Sequence, residues 1–395
     1  MAPEAEWDMR YAIRGVYVHI PFCHHRCTYC DFNIYAGMRS LYERYARAVA
    51  DEISPPRETG VQGEAATIYF GGGTPSLMPV EHIALILDAI RTRFDVAPDT
   101  EITLEANPRS EDDGYFARLR ALGVNRLSLG MQSASERDLH LFRRGHTFDD
   151  VARTVRLARS AGFDNLNLDL IYGIPDQSHE DWRMTLDAAL ALAPDHISAY
   201  SLQVEDGTTL KKWIAQGKVS APDDDLAADM FNIVETTLEQ SDFVHYEISN
   251  WAKQRSALSG QRSASRHNLI YWHNEPYLGF GCGAHSWLDG RRFSNVKHPR
   301  EYIARIEAGR GVEAESEAIS HELEMGETMM VGLRLLEEGM AFDRFASRFG
   351  VDLREVYVRE INRLVKLGLL EVKPDRVRLT RSGRLVGNRV FREFV

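Results

Sequence analysis

Six short runs rich in β-branched and aromatic residues alternate with stretches of helical periodicity over the first 240 residues. Alternation of this kind predicts βαβ units, in which successive strands lie parallel and helices cover the sheet. Six units are two fewer than a closed eight-stranded barrel needs, so an open partial barrel and a doubly wound sheet both fit. The predicted strands cover residues 15–20, 66–70, 101–106, 125–130, 165–173 and 195–203, and the predicted helices cover residues 40–54, 79–93, 111–122, 148–161, 179–192 and 222–240.

Polar residues and glycines cluster where these predicted strands end. The carboxyl ends of parallel strands meet on one face of the fold, and α/β proteins build their active sites there. We therefore expect one site to which six strands contribute, which is a stronger indication than any single motif. In strand order the cluster comprises a cysteine-rich loop, the turn GGGTP at residues 71–75, Glu105, Gln132, Asp169 and Gln203.

Three of the four cysteines, Cys23, Cys27 and Cys30, lie within eight residues directly after the first predicted strand. Three thiolates on one loop can hold a metal centre and leave one coordination position open. A structural zinc site would take four ligands, usually in two separated pairs, and the neighbouring histidines lie inside the same tight loop. We therefore favour an iron–sulfur cluster with one non-protein ligand over zinc and over buried structural cysteines.

This C-x3-C-x2-C loop resembles that of the radical S-adenosylmethionine (SAM) superfamily. The resemblance implies that Cys23, Cys27 and Cys30 bind a [4Fe-4S] cluster, whose fourth iron is chelated by the amino and carboxylate groups of SAM. It also implies that an electron from the reduced cluster cleaves SAM to a 5′-deoxyadenosyl radical. The fold of that family is a partial (β/α)6 TIM-like barrel, which agrees with the six strands, so we predict this α/β fold.

The same resemblance assigns SAM-binding residues. Taken alone, the glycine turn needs no role beyond its conformation, but in the family it contacts the amino group of SAM. Carboxylates suit the ribose hydroxyls and the ammonium, and a guanidinium suits the carboxylate. Each residue is otherwise explained as a hydrogen-bonded polar group at a strand end. The matched positions are Gly72, Gly73, Thr74, Glu105, Gln132, Arg144 and Asp169, with Tyr17 and Tyr29 near the cluster and the adenine, and Gln203 is a further candidate for cofactor contact.

Motifs along nearly the whole chain resemble the group around oxygen-independent coproporphyrinogen III oxidase. The oxidase carries a further cysteine two residues after the third cluster cysteine, where this chain has Phe32. The missing thiol and an H-N-x-x-Y-W motif resemble the HemW branch, whose members are haem chaperones. That motif is matched by His267, Asn268, Tyr271 and Trp272.

The H-N-x-x-Y-W motif supplies the predicted haem contact. An imidazole can ligate haem iron and aromatic rings can pack on a porphyrin, so His267 is the candidate ligand. Without the resemblance, the same residues are better explained as a His-Asn pair that fixes a loop beside a buried Tyr-Trp core. Cys282 stands where the family usually has proline, and we expect a small buried residue there rather than a second haem or cluster ligand.

The residue pattern of the carboxyl-terminal part indicates two helices followed by a short strand, an order that predicts a winged-helix-like domain. Residues 341–395 carry 13 Lys and Arg against 7 Asp and Glu, although the whole chain has a net charge of −11. Because these basic residues are interleaved with acidic ones, we favour a lid or a docking surface over DNA binding. The predicted parts are an amino-terminal tail at residues 1–14, a radical SAM barrel at 15–240, an aromatic and histidine-rich extension at 241–320 with a Ser/Gly/Arg-rich loop at 253–266, and the winged-helix-like domain at 321–395.

The leading hypothesis is a haem chaperone that binds haem, a [4Fe-4S] cluster and SAM and delivers haem to apo-proteins such as respiratory-chain components. Its further expected partners are an electron donor for the cluster and a second copy of the chain. We expect a cytoplasmic location, because there is no apolar run near the ~18 residues of a membrane span and no apolar core of a secretory signal. Nucleic acid is not an expected partner.

Two alternatives stay open at this point. The first is an enzyme, a radical SAM oxidoreductase of the coproporphyrinogen III oxidase type that acts in porphyrin biosynthesis. The second is an iron–sulfur DNA-binding regulator. The residues do not determine whether SAM is cleaved or only bound, so the sequence leaves open whether the protein is an enzyme.

Overall fold

A computed structural model describes residues 13–54, 63–108, 114–254 and 263–395 of the chain. The amino-terminal tail up to residue 12 and most of the Ser/Gly/Arg-rich loop, residues 255–262, lie outside the described residues. In chain order the described strands are β1 (Gly15–Ile20), β2 (Phe22–Cys23), β3 (Tyr35–Ala36), β4 (Thr67–Gly72), β5 (Glu101–Ala106), β6 (Arg126–Gln132), β7 (Leu166–Tyr172), β8 (His196–Ser201), β9 (Phe243–Glu247), β10 (Asn250–Lys253), β11 (Tyr277–Phe280), β12 (His285–Leu288), β13 (Arg291–Asn295), β14 (Glu313–Ala318), β15 (Met340–Ala341), β16 (Leu370–Val372) and β17 (Arg376–Leu379).

Helices follow the strands of the first 240 residues as the periodicity predicts. The described helices are α1 (Tyr42–Ile53), α2 (Val80–Arg93), α3 (Tyr115–Ala121), α4 (Glu136–Leu141), α5 (Phe148–Ser160), α6 (His179–Ala191), α7 (Thr209–Ala215), α8 (Asp224–Glu239), α9 (Arg266–Trp272), α10 (Pro299–Glu307), α11 (His321–Gly332), α12 (Phe342–Phe349), α13 (Leu353–Val356), α14 (Val358–Lys366), α15 (Arg381–Leu385) and α16 (Gly387–Phe391). None of the helices within these described ranges combines the length and the apolar character needed to span a bilayer.

Six parallel strands form the centre of the main sheet, in the order β1-β4-β5-β6-β7-β8. This spatial order follows the chain order without reversal, so every crossover advances in the same direction. A doubly wound sheet would reverse direction at a switch point. The arrangement is therefore the predicted partial (β/α)6 barrel, and the doubly wound alternative is wrong.

Local signals in the sequence account for several of these elements. Capping boxes begin α5 at Thr147 and Asp150 and α6 at Ser178 and Asp181, where each side chain satisfies a backbone N–H of the first turn. Trp182 of α6 is fully buried against the sheet, and its indole N–H donates to a backbone carbonyl of α8. These contacts fix the helices against the outer face of the barrel.

The aromatic extension adds strands to both edges of the barrel sheet. β11 lies parallel to β1 and continues into the antiparallel strands β12, β13 and β14, while β10 and β9 extend the β8 edge. Partly buried Glu52 of α1 ties the extension in place, accepting hydrogen bonds from Gly281 N at 2.8 Å, Asn295 Nδ2 at 2.7 Å and the Tyr302 hydroxyl. Cys282 is fully buried there, as the sequence leads us to expect.

The carboxyl-terminal part has a hydrophobic core of its own. Helices α11, α12 and α14 pack with a three-stranded sheet in the order β15-β17-β16, around residues such as Phe345, Leu364 and Val377. The hairpin of β16 and β17 is the wing of the predicted winged-helix-like domain. The division of the chain at residues 240 and 320 stays a prediction.

A buried carboxylate fastens this domain to the barrel. Glu235 of α8 is 5% exposed and lies 3.0 Å from Arg381 Nε, 2.6 Å from Arg384 Nη1 and 3.2 Å from His245 Nδ1. Burial works to raise the pKa of Glu235, but hydrogen bonds from His245 and Arg384 outweigh it and lower that pKa to about 2. Burial also lowers the pKa of His245, so the arginines supply the balancing charge.

We expect Glu235→Gln to reduce stability at pH 7 by about 1–2 kcal/mol, because it removes charge-assisted hydrogen bonds while keeping the shape. A carboxylate with a depressed pKa stabilises the fold above its ordinary pKa, and this contribution is lost as pH falls towards about 2. Urea unfolding of both proteins at pH 7 and at lower pH should therefore show the difference shrinking on acidification. Exposed Glu81 provides the control variant Glu81→Gln. A difference that is independent of pH would contradict this account.

Candidate functional site

A cavity of ≈ 790 Å³ opens at the carboxyl ends of the six parallel strands. Both the cysteine loop and the glycine turn line it, as the strand order predicts. Of the predicted site residues, two do not reach it, Tyr17 and His267. The predicted residues that line the cavity are Cys23, Cys27, Tyr29, Cys30, Gly72, Gly73, Thr74, Glu105, Gln132, Arg144, Asp169 and Gln203.

The cysteine loop carries three free, half-buried thiols. Arg26 braces it, since its Nε donates to Cys30 O at 3.1 Å. Cys23 Sγ lies 3.5 Å from Thr74 Oγ1, and Arg144 Nη1 donates to Cys27 Sγ at 3.6 Å. The loop is thereby connected to the glycine turn and to the segment between α4 and α5.

The three thiols differ in how easily they ionise. Burial raises the pKa of Cys23, and it raises the pKa of Cys30 to about 11. Burial also works to raise the pKa of Cys27, but a hydrogen bond from His25 and the charge of Arg144 outweigh it and lower that pKa. Cys27 is therefore the thiol most readily available as a thiolate ligand.

The donor set fits an iron–sulfur cluster better than a single ion. Among the described residues, no three His, Cys, Asp or Glu side chains are grouped closely enough to hold one metal ion. A [4Fe-4S] cluster takes each thiolate at a different iron, so its three ligands need not converge on a point. Three free thiols on the wall of one cavity, with positive charge beside them, satisfy that requirement.

The glycine turn has no room for side chains. Gly72 has φ +111°, and a Cβ there would lie 2.5 Å from the ring of His19. A Cβ on Gly73 would lie 2.6 Å from Phe22 O. The backbone N–H groups of Gly73 and Thr74 each donate at 2.8 Å, to Ile20 O and Phe22 O, respectively. The turn therefore packs directly against the start of the cysteine loop.

Two carboxylates face the cavity from neighbouring parts of the sheet. Glu105 accepts hydrogen bonds from the Tyr69 hydroxyl at 2.8 Å and from Gly72 N at 3.1 Å. Asp169 lies in the middle of β7 rather than near its end, and it accepts from Ser128 Oγ at 3.0 Å. Burial raises the pKa of both groups, that of Glu105 to about 7. Both carboxylates therefore gain from a cation that enters the cavity.

Arg144 and Gln132 also line the cavity, and both are held in constrained positions. The Arg144 guanidinium donates to Gly130 O at 2.9 Å and to Asn107 Oδ1. Gln132 ends β6 with φ +68°, where the register between β6 and β7 shifts. A left-handed conformation at a non-glycine residue is a strained state that is often retained at functional sites.

The remaining predicted residues differ in whether they reach the cavity. Tyr29 packs edge-on against Phe142 at the cavity wall, and Gln203 is an exposed rim residue two positions beyond the end of β8. Tyr17 donates to or accepts from His19 Nδ1 at 3.0 Å, and its ring lies 6.2 Å from that of Tyr69. Tyr69, rather than Tyr17, lines the cavity.

His267 lies at the other end of the barrel, beside the amino-terminal end of β4. Its Nδ1 is 2.7 Å from Thr67 Oγ1 and its Nε2 is 2.9 Å from the Tyr271 hydroxyl. The side chain is 1% exposed, and burial, followed by the charge of Arg126, lowers its pKa to about 3. Both ring nitrogens are engaged, so iron ligation would require these bonds to break, and the role as haem ligand stays a prediction.

Two residues that the sequence patterns did not predict also face the cavity. Asn107 follows Glu105 in the motif LEANP, and its side chain joins Thr74 to Arg144. The sequence offered one indication that Asn107 belongs to the site: it lies two residues after a predicted site carboxylate. Arg126 begins β6, is 2% exposed and lines the cavity, and its buried Nε has no hydrogen-bond partner among the described residues. No local pattern in the sequence marks an arginine at the start of a strand as a cavity residue.

The chain is similar to known proteins over most of its length. The "Radical SAM superfamily" model matches residues 17–189, and the "HemN C-terminal domain" model matches residues 319–386. The heme chaperone HemW of Mycobacterium tuberculosis is 38% identical over 382 residues, which cover 96% of this chain and 94% of that protein. The heme chaperone HemW of Escherichia coli is 33% identical over 389 residues, which cover 96% of this chain and 98% of that protein.

A solved structure shares the fold. Coproporphyrinogen III oxidase (HemN) from Escherichia coli, described as a radical SAM enzyme, superimposes with a TM-score of 0.82. The match covers 98% of this chain and 91% of that chain at 23% sequence identity. The similarity therefore establishes the barrel and the carboxyl-terminal domain as a shared architecture.

We expect Gly73→Ala to impair assembly of the site, because the added Cβ would lie 2.6 Å from the backbone of the cysteine loop. Iron and sulfide content after anaerobic reconstitution should fall at least severalfold, while the far-UV circular dichroism stays that of the wild type. Gly311→Ala is the matched control, since a Cβ there meets nothing within 4 Å and the backbone is unstrained. Full cluster loading of Gly73→Ala would show that the turn tolerates a side chain.

Proposed function

We propose a function from one premise: the chain belongs to the HemW family within the radical SAM superfamily. It is a haem chaperone that binds haem, a [4Fe-4S] cluster and SAM and hands haem to apo-proteins. The observation that carries this conclusion is similarity over nearly the full length to several proteins named as heme chaperones. The position of Phe32, where the oxidase has its additional thiol, points in the same direction.

We assign different residues of the cavity to the cluster and to SAM. Cys23, Cys27 and Cys30 would hold the cluster, which supplies an electron when bound. The N–H groups of Gly72, Gly73 and Thr74 already donate within the protein, so we assign the carbonyl oxygens of this turn to the amino group of SAM.

Charge complementarity supports the other assignments. Glu105 suits the ammonium group and Asp169 suits the ribose hydroxyls, because each is an acceptor facing the cavity. Arg144, held beside Cys27, suits the carboxylate of SAM. Gln132, Tyr29 and Gln203 are assigned to further contacts along the same wall and rim.

One observation favours the enzyme alternative. The predicted SAM residues other than Tyr17 line a single cavity, and the fold is that of a coproporphyrinogen III oxidase. At 23% identity that similarity concerns the fold alone. The exposed Phe32 side chain, 64% accessible at the rim of the cysteine loop, cannot replace a thiol.

The DNA-binding alternative gains no support from the charges of the winged-helix-like domain. Several of its arginines are already ion-paired within the protein, which reduces the field that a phosphate backbone would meet. The pairs include Arg354–Asp352, Arg363–Glu393, Arg376–Asp375 and Arg378–Glu371. A docking surface for a protein partner fits this balanced charge better.

Several partners belong to the proposal. The exposed side chains of His24, His25 and Arg26 make the cysteine loop accessible to an electron donor. The haem acceptors would be apo-proteins such as respiratory-chain components. We also propose a cytoplasmic location and association of two copies.

The decisive experiment uses anaerobically reconstituted protein with SAM and a reductant. We expect a saturable Soret change on haem titration and no decarboxylation of coproporphyrinogen III. A variant with Cys23, Cys27 and Cys30 all replaced by alanine should lose the cluster. Decarboxylated porphyrin appearing together with 5′-deoxyadenosine, and only with the cysteines intact, would establish the enzyme alternative instead.

SAM affinity should depend on the protonation of Glu105. Burial raises the pKa of this carboxyl to about 7, with Asp169 adding to the shift and Tyr69 and Arg126 opposing it. Because the ammonium of SAM favours the ionised carboxylate, affinity should rise with pH and level off above about 7. Below that value it should fall by up to about tenfold per pH unit. Calorimetric titration of wild type and Glu105→Gln tests this, since the variant should bind more weakly with a flatter pH profile.

A further inference from the structure

A line of aromatic side chains runs from the large cavity to the other end of the barrel. Tyr69 lines the cavity, whereas Tyr271 and Tyr277 line a separate cleft of ≈ 350 Å³ beside α9. The walls of this cleft also include Trp272, Trp287 and Met330. His267 stands one turn before Tyr271 on α9 and packs on Tyr69, so it joins the two sets of tyrosines. The four rings therefore connect the cavity with a second cleft.

Successive rings in this line are neighbours. The ring centres of Tyr69 and His267 lie 5.0 Å apart, with an angle of 25° between the ring planes. His267 and Tyr271 are again 5.0 Å apart between ring centres, in an edge-to-face arrangement. Tyr271 and Tyr277 follow at 4.7 Å. All three separations are those of directly packed aromatic pairs, so contact between the rings is continuous from one site to the other.

The first two tyrosines each have a proton acceptor at the hydroxyl. Tyr69 O–H donates to Glu105 Oε1 at 2.8 Å. The Tyr271 hydroxyl lies 2.9 Å from His267 Nε2, and Thr67 Oγ1 lies 2.7 Å from His267 Nδ1. Burial lowers the pKa of His267, so the imidazole is neutral. We assign its proton to Nδ1 and the acceptor to Nε2, because a phenol is a stronger donor than an aliphatic hydroxyl.

This combination of packing and acceptors suits one-electron chemistry. A phenol that loses an electron becomes a strong acid, so a base in hydrogen-bond contact takes its proton and a neutral radical remains. A neighbouring ring can then return the electron, which moves the vacancy by one position. Tyrosines that only fill the interior of a barrel need neither a base at the hydroxyl nor contact with the next ring.

We propose that Tyr69, Tyr271 and Tyr277 form a relay that carries one oxidising equivalent from the cavity to the cleft beside α9. The relay removes an oxidising equivalent from the neighbourhood of the cysteine loop before it damages the thiols. The inference rests on the proposed function in one respect, namely that a metal centre occupies the cavity. It adds an electron-transfer function that runs through the polypeptide itself.

The steps balance in electrons and protons. Tyr69 gives one electron to an oxidised metal centre in the cavity, which is reduced by one electron, and the Tyr69 proton passes to Glu105. Tyr271 then gives one electron to Tyr69 and its proton to His267, and Tyr69 recovers its own proton from Glu105. Tyr277 next gives one electron to Tyr271 and its proton to water in the cleft. His267 returns its proton to Tyr271, and a thiol or ascorbate in solution supplies one hydrogen atom to Tyr277.

The relay is tested by starting it at the cysteine loop and detecting it at the cleft. A ruthenium polypyridyl photo-oxidant is attached to Cys27 of the full-length chain, which carries Cys23→Ser and Cys30→Ser. Cys282 is fully buried and stays unlabelled. Illumination with an irreversible electron acceptor oxidises the ruthenium, and a nitroso spin trap followed by peptide mass spectrometry locates the radicals. We expect an adduct on Tyr277 in this parent protein.

Two variants of the parent interrupt the relay and keep its rings. Tyr69→Phe and Tyr271→Phe should each reduce the adduct on Tyr277 at least severalfold, because phenylalanine is much harder to oxidise. Tyr246→Phe is the matched control and should give the parent yield. The Tyr246 hydroxyl also lies 2.9 Å from a histidine Nε2, that of His196, but its ring contacts none of the relay rings among the described residues. Thermal unfolding checks each variant, and Tyr69→Phe decides if Tyr271→Phe does not fold.

The outcomes separate this inference from the proposed function. An unchanged Tyr277 adduct in the folded variants overturns the relay, as does a parent protein without that adduct. A loss of the same size in Tyr246→Phe also overturns it, since the effect would then not depend on the relay. Each of these results leaves the chaperone function standing, because haem, SAM and the cluster take no part in the experiment. A working relay in a protein whose wild type binds no haem would overturn the proposed function alone.

Discussion

The parallel register between β1 and β4 is the constraint on which the rest of the site depends. Gly15 pairs with Thr67, and the ladder runs to Ile20 beside Gly72, so both strands end at the same level. The cysteine loop and the glycine turn consequently begin side by side. Two further backbone hydrogen bonds, from Gly73 and Thr74, extend this pairing into the loop itself. A shift of one residue would turn each side chain of β1 to the opposite face and separate the thiols from the turn.

Charged side chains of both signs line the cavity at this end of the barrel. Arg144 stabilises the thiolate of Cys27, while burial holds the pKa values of Glu105 and Asp169 above their usual range in the same cavity. Such a set of buried, incompletely neutralised groups is costly in an empty protein and favourable around a ligand that carries both charges. The amino acid portion of SAM has that character, with an ammonium and a carboxylate close together.

Two carboxylates, one partly and one fully buried, attach the other parts of the chain to the barrel. Glu52 holds the extension through three donors, and Glu235 holds the winged-helix-like domain through two arginines and a histidine. Because the extension also pairs with β1 through β11, its position is coupled to the strand that carries the cysteine loop.

The sequence by itself determined the elements of the barrel and the identity of the cavity wall. Periodicity and strand-end chemistry are encoded within short windows, so Cys23, Cys27, Cys30, the glycine turn and Glu105 were predictable and do line one cavity, whereas Arg144 was predicted only through the family resemblance. Tertiary structure alone decided which way His267 faces, that Tyr69 rather than Tyr17 lines the cavity, and that Arg126 reaches its wall. It also brought Trp272, Trp287 and Met330 together. These placements depend on pairing between segments far apart in the chain, which no local pattern of residues specifies.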